Sequence, residues 1–479
     1  MALLLATGGR GAVAAPSDSL QGQIDRASPG DTISIDGGVY NERIVIDKPL
    51  ILEGRNRPVI DGGGDGDVVT ITADNVTLSR FVVRNSGRAM SQEPAAIKIK
   101  DAHSATIQYN RIEQSHFGIH ATGSHHATIA YNEIDTGNGV PQERRGHAIY
   151  LWEVETSAIH GNTITNAADG IHLEFSHDNG IGENTVSGSR YALHFMTSNN
   201  NRILNNTFRN NLTGAIIMFS NDILLKGNEL SNNRDGATGA GLLLKDVDNV
   251  FAEANIIQRN KYGITAEGTP NSVGATATFL NNTAALNDVG LGLYPNAPIT
   301  FVTNAMIENM VQVEAISGAL ALGAEHAAGT TPETGQATSG PVWTIAGQGN
   351  YWSDYRGYDA DGDGIGDVPY QPTPDFGGAA DDHPTLRFFR FTLAQEALDS
   401  ASEMFPVYRY DPVMQDTGPL MTAPGPAMPR EGGVNTGLIV TGVLLLVLAA
   451  AILQMAVDTD PISALLGGAR RVLPNRGQA

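Results

Sequence analysis

His172, His194, Met196, Met218 and Glu174 carry side chains that bind metal ions, and a constant interval relates them. His172 and His194 stand 22 residues apart, as do Glu174 and Met196, and Met196 and Met218. Imidazole nitrogen together with thioether sulfur is the donor set of Cu(I), and a chain without cysteine offers neither a thiolate zinc site nor an iron–sulfur site. Copper is therefore one expectation for this patch. A second reading is a covering ladder, in which His120, Tyr150 and the histidines stack and the methionines fill a groove. A third is a sugar groove, with Trp152 and Tyr150 stacking on a ring that Glu174 protonates. A hydrolase needs a second carboxylate across the bond. Glu153 falls on the other side of its strand or in a turn, and no aspartate cluster sits on these rows for lyase chemistry, so catalysis is not expected.

A different chemistry is encoded in Asp359-Ala-Asp361-Gly-Asp363-Gly-Ile-Gly-Asp367. Carboxylates at alternate positions with a glycine after the third match the loop geometry of oxygen-rich calcium sites. Tyr370 stands where a bidentate glutamate would complete an EF-hand, so the expectation is a turn stabilised by calcium rather than a sensor.

What must position these residues is a repeat. Ala105-Thr-Ile-Gln-Tyr-Asn-Arg-Ile112 recurs 22 residues on as Ala127-Thr-Ile-Ala-Tyr-Asn-Glu-Ile134, and its asparagine continues as Asn110, Asn132, Asn162, Asn184, Asn206, Asn228, Asn255, Asn282 and Asn304. Excess spacing between some of them marks loops inserted into otherwise constant coils. At such a turn position asparagine can bond the asparagine of the next coil and tolerates left-handed backbone. Fourteen residues before the asparagines from Asn132 to Asn255 stands a small residue, followed by a strand with apolar residues at minus 13 and minus 11. Alternation then turns minus 12 and minus 10 outward. The minus 12 row reads His120, Tyr150, His172, His194, Ile216, and the minus 10 row Thr122, Trp152, Glu174, Met196, Met218. The prediction is an all-β, right-handed parallel β-helix with coils about 4.8 Å apart. His125 and His177 fall in a turn row and read as solvated, and Arg144-Arg145-Gly146-His147 reads as a basic solvent turn, with a binding loop as the alternative.

The body is expected over residues 16–310, beginning with alternating strands such as Thr32-Ile-Ser-Ile and a short capping helix near residues 19–27. Residues 311–348 read as an irregular excursion, 349–385 as C-terminal coils with the acidic loop, 386–418 as a partly helical segment facing a partner, and 419–436 as a Pro/Gly-rich linker. Residues 1–15 resemble a clipped secretory signal. Residues 437–457 carry no charge, and at a helical rise of about 1.5 Å they span roughly 31 Å, the thickness of a bilayer core. Arg470, Arg471 and Arg476 follow that run, so residues 458–479 are expected in the cytoplasm and the large domain outside it. A formal net charge of -21 argues against nucleic acid as a partner.

The order of Gly146-His-Ala-Ile-Tyr-Leu-Trp152, Asp169-Gly-Ile-His-Leu-Glu-Phe-Ser176, Arg190-Tyr-Ala-Leu-His-Phe-Met196, Ala215-Ile-Ile-Met-Phe-Ser220 and Gly349-Asn-Tyr-Trp-Ser-Asp-Tyr355 resembles the NosD family, periplasmic maturation proteins of nitrous oxide reductase. The likeness covers about residues 17–422. It implies a non-catalytic accessory that works with the permease and ATPase of an ABC transporter, and with a copper chaperone, to supply the copper–sulfur centre of nitrous oxide reductase. Carried onto this sequence, it makes His194, Met196 and Met218 copper contacts and the segment after Phe405 a transporter-facing region. The membrane run departs from a soluble periplasmic pattern and implies tethering or packing against the permease.

Overall fold

A computed structural model describes residues 19–137, 139–234, 239–293, 297–315, 340–372 and 414–428, and all of them up to residue 427 belong to one compact unit. Among the described residues three parallel sheets of 12, 13 and 12 strands form, and each strand pairs with its counterparts in the coils before and after. The chain is thus a parallel β-helix. The third sheet contains the strands Phe117–Thr122, Ile149–Trp152, Asp169–Glu174, Tyr191–Met196 and Thr213–Met218. Its register sets His120 beside Tyr150, Tyr150 beside His172, His172 beside His194, and His194 beside Ile216.

The inward positions predicted from alternation form one continuous apolar core. Ile149, Leu151, Ile171, Leu173, Leu193 and Phe195 are fully buried in it. Each such side chain stabilises by about 1.5–3 kcal/mol through removal from water. Strict alternation fails at one place in each coil. The small residue and the apolar residue after it both face inward: Ala148 and Ala192 lie in the core, and a Cβ on Gly170 would meet the Val186 side chain at 2.4 Å. Two consecutive inward residues put the residue before them back on the outer face.

The asparagine ladder forms as predicted and runs further. Asn110 N donates to Asn132 Oδ1 at 3.0 Å, and equivalent bonds join each asparagine to the next as far as Asn350. Asp416 then accepts from Asn350 N at 2.7 Å and from Trp352 Nε1 at 2.9 Å. As a carboxylate it only accepts, which ends the chain of donors. The left-handed backbone belongs not to the asparagines but to the residue before each, such as Tyr109, Tyr131 and Asn205, because the buried asparagine has to point inward and the corner must turn one residue earlier.

At the other end the helix Leu20–Arg26 covers the first coil. Ser19 caps it, accepting from Gly22 N at 2.9 Å, and Leu20 and Ile24 are buried against the core.

Two expected boundaries shift. Val311–Ala315 is a regular third-sheet strand paired with Val289–Leu293, so the helix continues past residue 310. Gln312 stands there where other coils carry a small residue, which hid the repeat; its side chain bonds Asp354 at 3.1 Å. Residues 419–428 do not hang free. Leu420 bridges Tyr351 and Ile365, and Thr283 Oγ1 donates to Pro426 O at 2.9 Å. The expected leader (1–15), membrane run (437–457) and tail (458–479), and most of the partner-facing segment (386–418), lie outside the described residues. Among the described residues no helix is long and apolar enough to cross a membrane.

Candidate functional site

Because coils stack in register, the minus 12 row becomes a column of rings. His120 stacks on Tyr150 at 4.8 Å between centroids, Tyr150 on His172 at 4.9 Å, and His172 on His194 at 4.3 Å. The covering ladder is therefore real. It is also buried: His120, His172 and His194 are only 2%, 7% and 8% exposed, although they were expected on an open face. The cause is a further outer row at minus 15, created by the paired inward residues. Phe117, His147 and Tyr191 from that row pack edge-on or tilted against the column.

Asp169 occupies the same row and is fully buried. Its carboxylate accepts from both arms of the Arg190 guanidinium, Nε to Oδ1 and Nη2 to Oδ2, each at 2.9 Å. His194 Nδ1 lies 2.9 Å from Oδ2. His147 Nδ1 and His172 Nδ1 approach the same oxygen at 3.3 and 3.8 Å, and His172 Nδ1 lies 3.4 Å from His147 Nε2. The His147 contact is not aligned as a hydrogen bond, so that nitrogen remains without a partner, as does His172 Nε2.

Burial pushes the Asp169 carboxyl up. The hydrogen bond from His194, the neighbouring His147 and the Arg190 fork outweigh burial and hold it well below the usual carboxylate range. Burial alone dominates for the rings: it lowers His147 to about 4 and His120 to about 3, and it lowers His172 as well, with the other histidines adding to the effect there. These imidazoles are neutral at pH 7, the form that donates a lone pair to a metal. His194 takes its Nδ1 proton to Asp169 by the logic of the hydrogen bond, which leaves Nε2 as the free donor.

The minus 10 row is less covered. Glu174 pairs in register with Met196 and Met196 with Met218, as predicted. Met218 packs on a small outer apolar cluster of Ile216, Ala240 and Leu243. Tyr150 Oη donates to Glu174 Oε2 at 2.7 Å, which ties that carboxylate to the ladder, while Trp152 is 41% exposed. Glu153 sits in a left-handed corner, so it provides no second acid on this face.

Two residues escaped the sequence reading. His147 was expected in a basic solvent turn; Arg144 is exposed there and Arg145 donates to Val140 O and Gly188 O, whereas His147 packs against the ring column. Asp169 was passed over. The signal was present in the small residue followed by an apolar one, two inward positions in succession, which strict alternation does not allow. In the turn row, His125 Nδ1 comes no nearer than 3.9 Å to Glu155, and His177 Nδ1 accepts from Asn199 N at 3.0 Å, so neither joins the cluster.

In the acidic loop, carboxylate oxygens of Asp359, Asp361 and Asp363 come within 4.8 Å of one another. They also serve the loop itself. Asp359 accepts from Gly362 N and Gly364 N at 2.7 and 2.9 Å, and Asp363 from Ile365 N at 2.8 Å. Asp367 stands outside this group and accepts from Ala360 N at 2.8 Å. The backbone bonds account for the turn's shape without an ion.

Comparison with known proteins gives this geometry a context. A family model described as "Periplasmic copper-binding protein (NosD)" matches residues 132–357. A protein named "Probable ABC transporter binding protein NosD" from Pseudomonas aeruginosa is 33% identical over 431 residues, 88% of this chain and 95% of that one. Its namesake from Stutzerimonas stutzeri is 31% identical over 399 residues, 81% and 86% of the two chains. Among solved structures, a mannuronan C-5 epimerase A-module of Azotobacter vinelandii gives a TM-score of 0.47 at 14% identity, covering 64% of this chain and 94% of that one. An exopolygalacturonase of Thermotoga maritima gives 0.41 at 11%, covering 59% and 81%. Likenesses this distant carry no argument about chemistry. Sequence identity sustained over most of both relatives does: the chain belongs to the NosD family of periplasmic copper-binding proteins.

Proposed function

We propose that this protein is a non-catalytic carrier of monovalent copper, which it holds on the outer face of its third sheet and passes on during assembly of the copper–sulfur centre of nitrous oxide reductase. The supporting observation is the convergence of His147, His172 and His194 on one buried carboxylate, with ring nitrogens left unpartnered, beside the in-register pair Met196 and Met218. A buried polar atom without a partner costs about 1–3 kcal/mol. A soft cation taken up by those nitrogens would offset that cost.

The donors fit the cargo. His194 offers Nε2, since its Nδ1 proton is committed to Asp169, and neutral His172 offers Nε2. The thioethers bind Cu(I) without a charge or a proton to lose. Moving the ion from imidazole to thioether exchanges one neutral donor for another, so transfer needs no redox step. The carrier would work outside the cytoplasmic membrane, tethered by residues 437–457 beside an ABC transporter permease and ATPase, receiving copper from a chaperone. A structural calcium ion at Asp359, Asp361 and Asp363 would be a separate, stabilising addition.

Titration with Cu(I) against a competing chelator tests this reading. Binding lost in both His194→Ala and Met196→Ala supports it; no binding by the unaltered protein sinks it. Trp152, exposed beside Glu174, favours the alternative of a sugar-binding face. That alternative predicts an oligosaccharide-dependent rise in thermal midpoint which Trp152→Ala removes and copper leaves untouched.

A further inference from the structure

His147, Asp169 and His172 hold ligand atoms all within 4.8 Å of one another, and Asp169 Oδ2 is 3.3 Å from one imidazole nitrogen and 3.8 Å from another. Donors around a four-coordinate zinc-sized ion, at metal–ligand distances near 2.0–2.1 Å, stand about 3.3 Å apart. By spacing alone this is a nitrogen–oxygen site for a divalent ion. One neighbour opposes it. Arg190 bonds both oxygens of the carboxylate at 2.9 Å in a bidentate fork, and it brings a permanent positive charge to the spot where the ion would sit. Its side chain is 47% exposed while that of Asp169 is 0%, so the guanidinium closes the carboxylate off from the solvent side.

We propose that Arg190 is a specificity-determining residue: by occupying Asp169 it removes the hard oxygen donor from the histidine cluster, so that the cluster presents only nitrogen and, with the thioethers beside it, takes monovalent copper in preference to divalent ions. This rests on the copper-carrier reading for the identity of the favoured ion, though not for the exclusion of the disfavoured one. The chemistry follows ligand softness. A carboxylate between two imidazoles suits Zn2+, Co2+ or Cu2+, whereas imidazole and thioether without an anionic oxygen suit Cu(I). Asp169 keeps a positioning role, orienting His194 through Nδ1, which needs only one lone pair of the oxygen that Arg190 shares.

Co2+ is the probe, read by the intense visible bands of four-coordinate cobalt, which a six-coordinate all-oxygen loop does not give. The full chain carrying Arg190→Gln is expected to gain those bands with an affinity on the order of a hundredfold or more above the unaltered protein, where the like charge opposes binding. Arg190→Lys, which keeps the charge, is expected to stay silent, and Asp169→Asn combined with Arg190→Gln to lose the gain. Near-ultraviolet circular dichroism establishes that each variant is folded. A folded Arg190→Gln without cobalt bands overturns the proposal. So does four-coordinate cobalt bound tightly by the unaltered protein and lost in Asp169→Asn, a measurement that does not depend on Arg190→Gln folding. Failure of Cu(I) binding in the unaltered protein would instead sink the carrier reading and leave the cobalt comparison standing.

Discussion

The asparagine ladder and the ring column are built by the same operation, a residue repeated once per coil and stacked by parallel register. Their polar atoms fare differently. Each interior asparagine accepts from its predecessor's N and Nδ2 and donates to a carbonyl and to its successor, as Asn206 does with Asn184, Ile181 and Asn228. The ring column is equally regular in stacking, yet His172 Nε2 and His147 Nδ1 have no partner, and neither ring nitrogen of His120 has one of good geometry. Stacking geometry by itself therefore does not distinguish scaffold from site. Between these two rows polar satisfaction does, although single unmatched atoms such as His125 Nδ1 and Ser189 Oγ also occur elsewhere.

Breaking the ladder should give the largest effect. Asn206→Ala strands the N of Asn184 and the carbonyl of Ile181 and leaves Asn184 Nδ2 only its bond to Ile159 O, and is expected to cost roughly 2–6 kcal/mol in denaturant unfolding at about 1–3 per unmatched group. Copper affinity should not follow. A parallel loss of Cu(I) binding in folded protein would erase the distinction between the two regions.

Acid sharpens the comparison next. His147 and His120 have folded-state values lowered to about 4 and 3 from an unfolded value near 6.5. Below that unfolded value the unfolded chain binds protons that the folded chain refuses, so unfolding free energy falls as pH drops from about 6.5 towards 4 and is level above 7. The slope is at most about 1.4 kcal/mol per pH unit per histidine. The ladder amides do not titrate. An unfolding free energy that is flat from pH 4.5 to 6.5 would contradict the burial of the rings.

His120→Phe keeps the ring stack and deletes the buried nitrogens. It should leave stability level or raise it by about 1 kcal/mol, and remove one histidine's share of the acid slope. A loss of more than that would mean that His120 has a partner after all. The smallest effect is expected at Phe175, an exposed bulky residue in left-handed backbone at the corner beside Glu174, where another coil has Gly268. Phe175→Gly should relieve strain and change stability by less than about 1 kcal/mol, measured by thermal unfolding.

Much of this was legible beforehand. The interval of 22 residues and the alternation at minus 13 and minus 11 predicted the coils, the inward Ile171, Leu173 and Leu193, and the alignment of His172 with His194 and Met196 with Met218, because a parallel solenoid converts sequence spacing directly into neighbourhood. The strand at Val311–Ala315 was missed because Gln312 took the place of the small residue. Asp169 was missed because strict alternation assigns it the wrong face, and His147 because it read as part of an inserted turn.

What the sequence by itself determined is the architecture and the identity of the rows, since repeat length and binary pattern leave a parallel chain only one way to bury its apolar side. What the tertiary structure alone decided is the chemistry of the rows. The paired inward residues turned Asp169 outward, His147, His172 and His194 closed over its carboxylate, and Arg190, a residue that no repeat singles out, came to hold it. Burial, pairing and the loss of pairing depend on which side chains meet across coils, and spacing along one chain does not encode that.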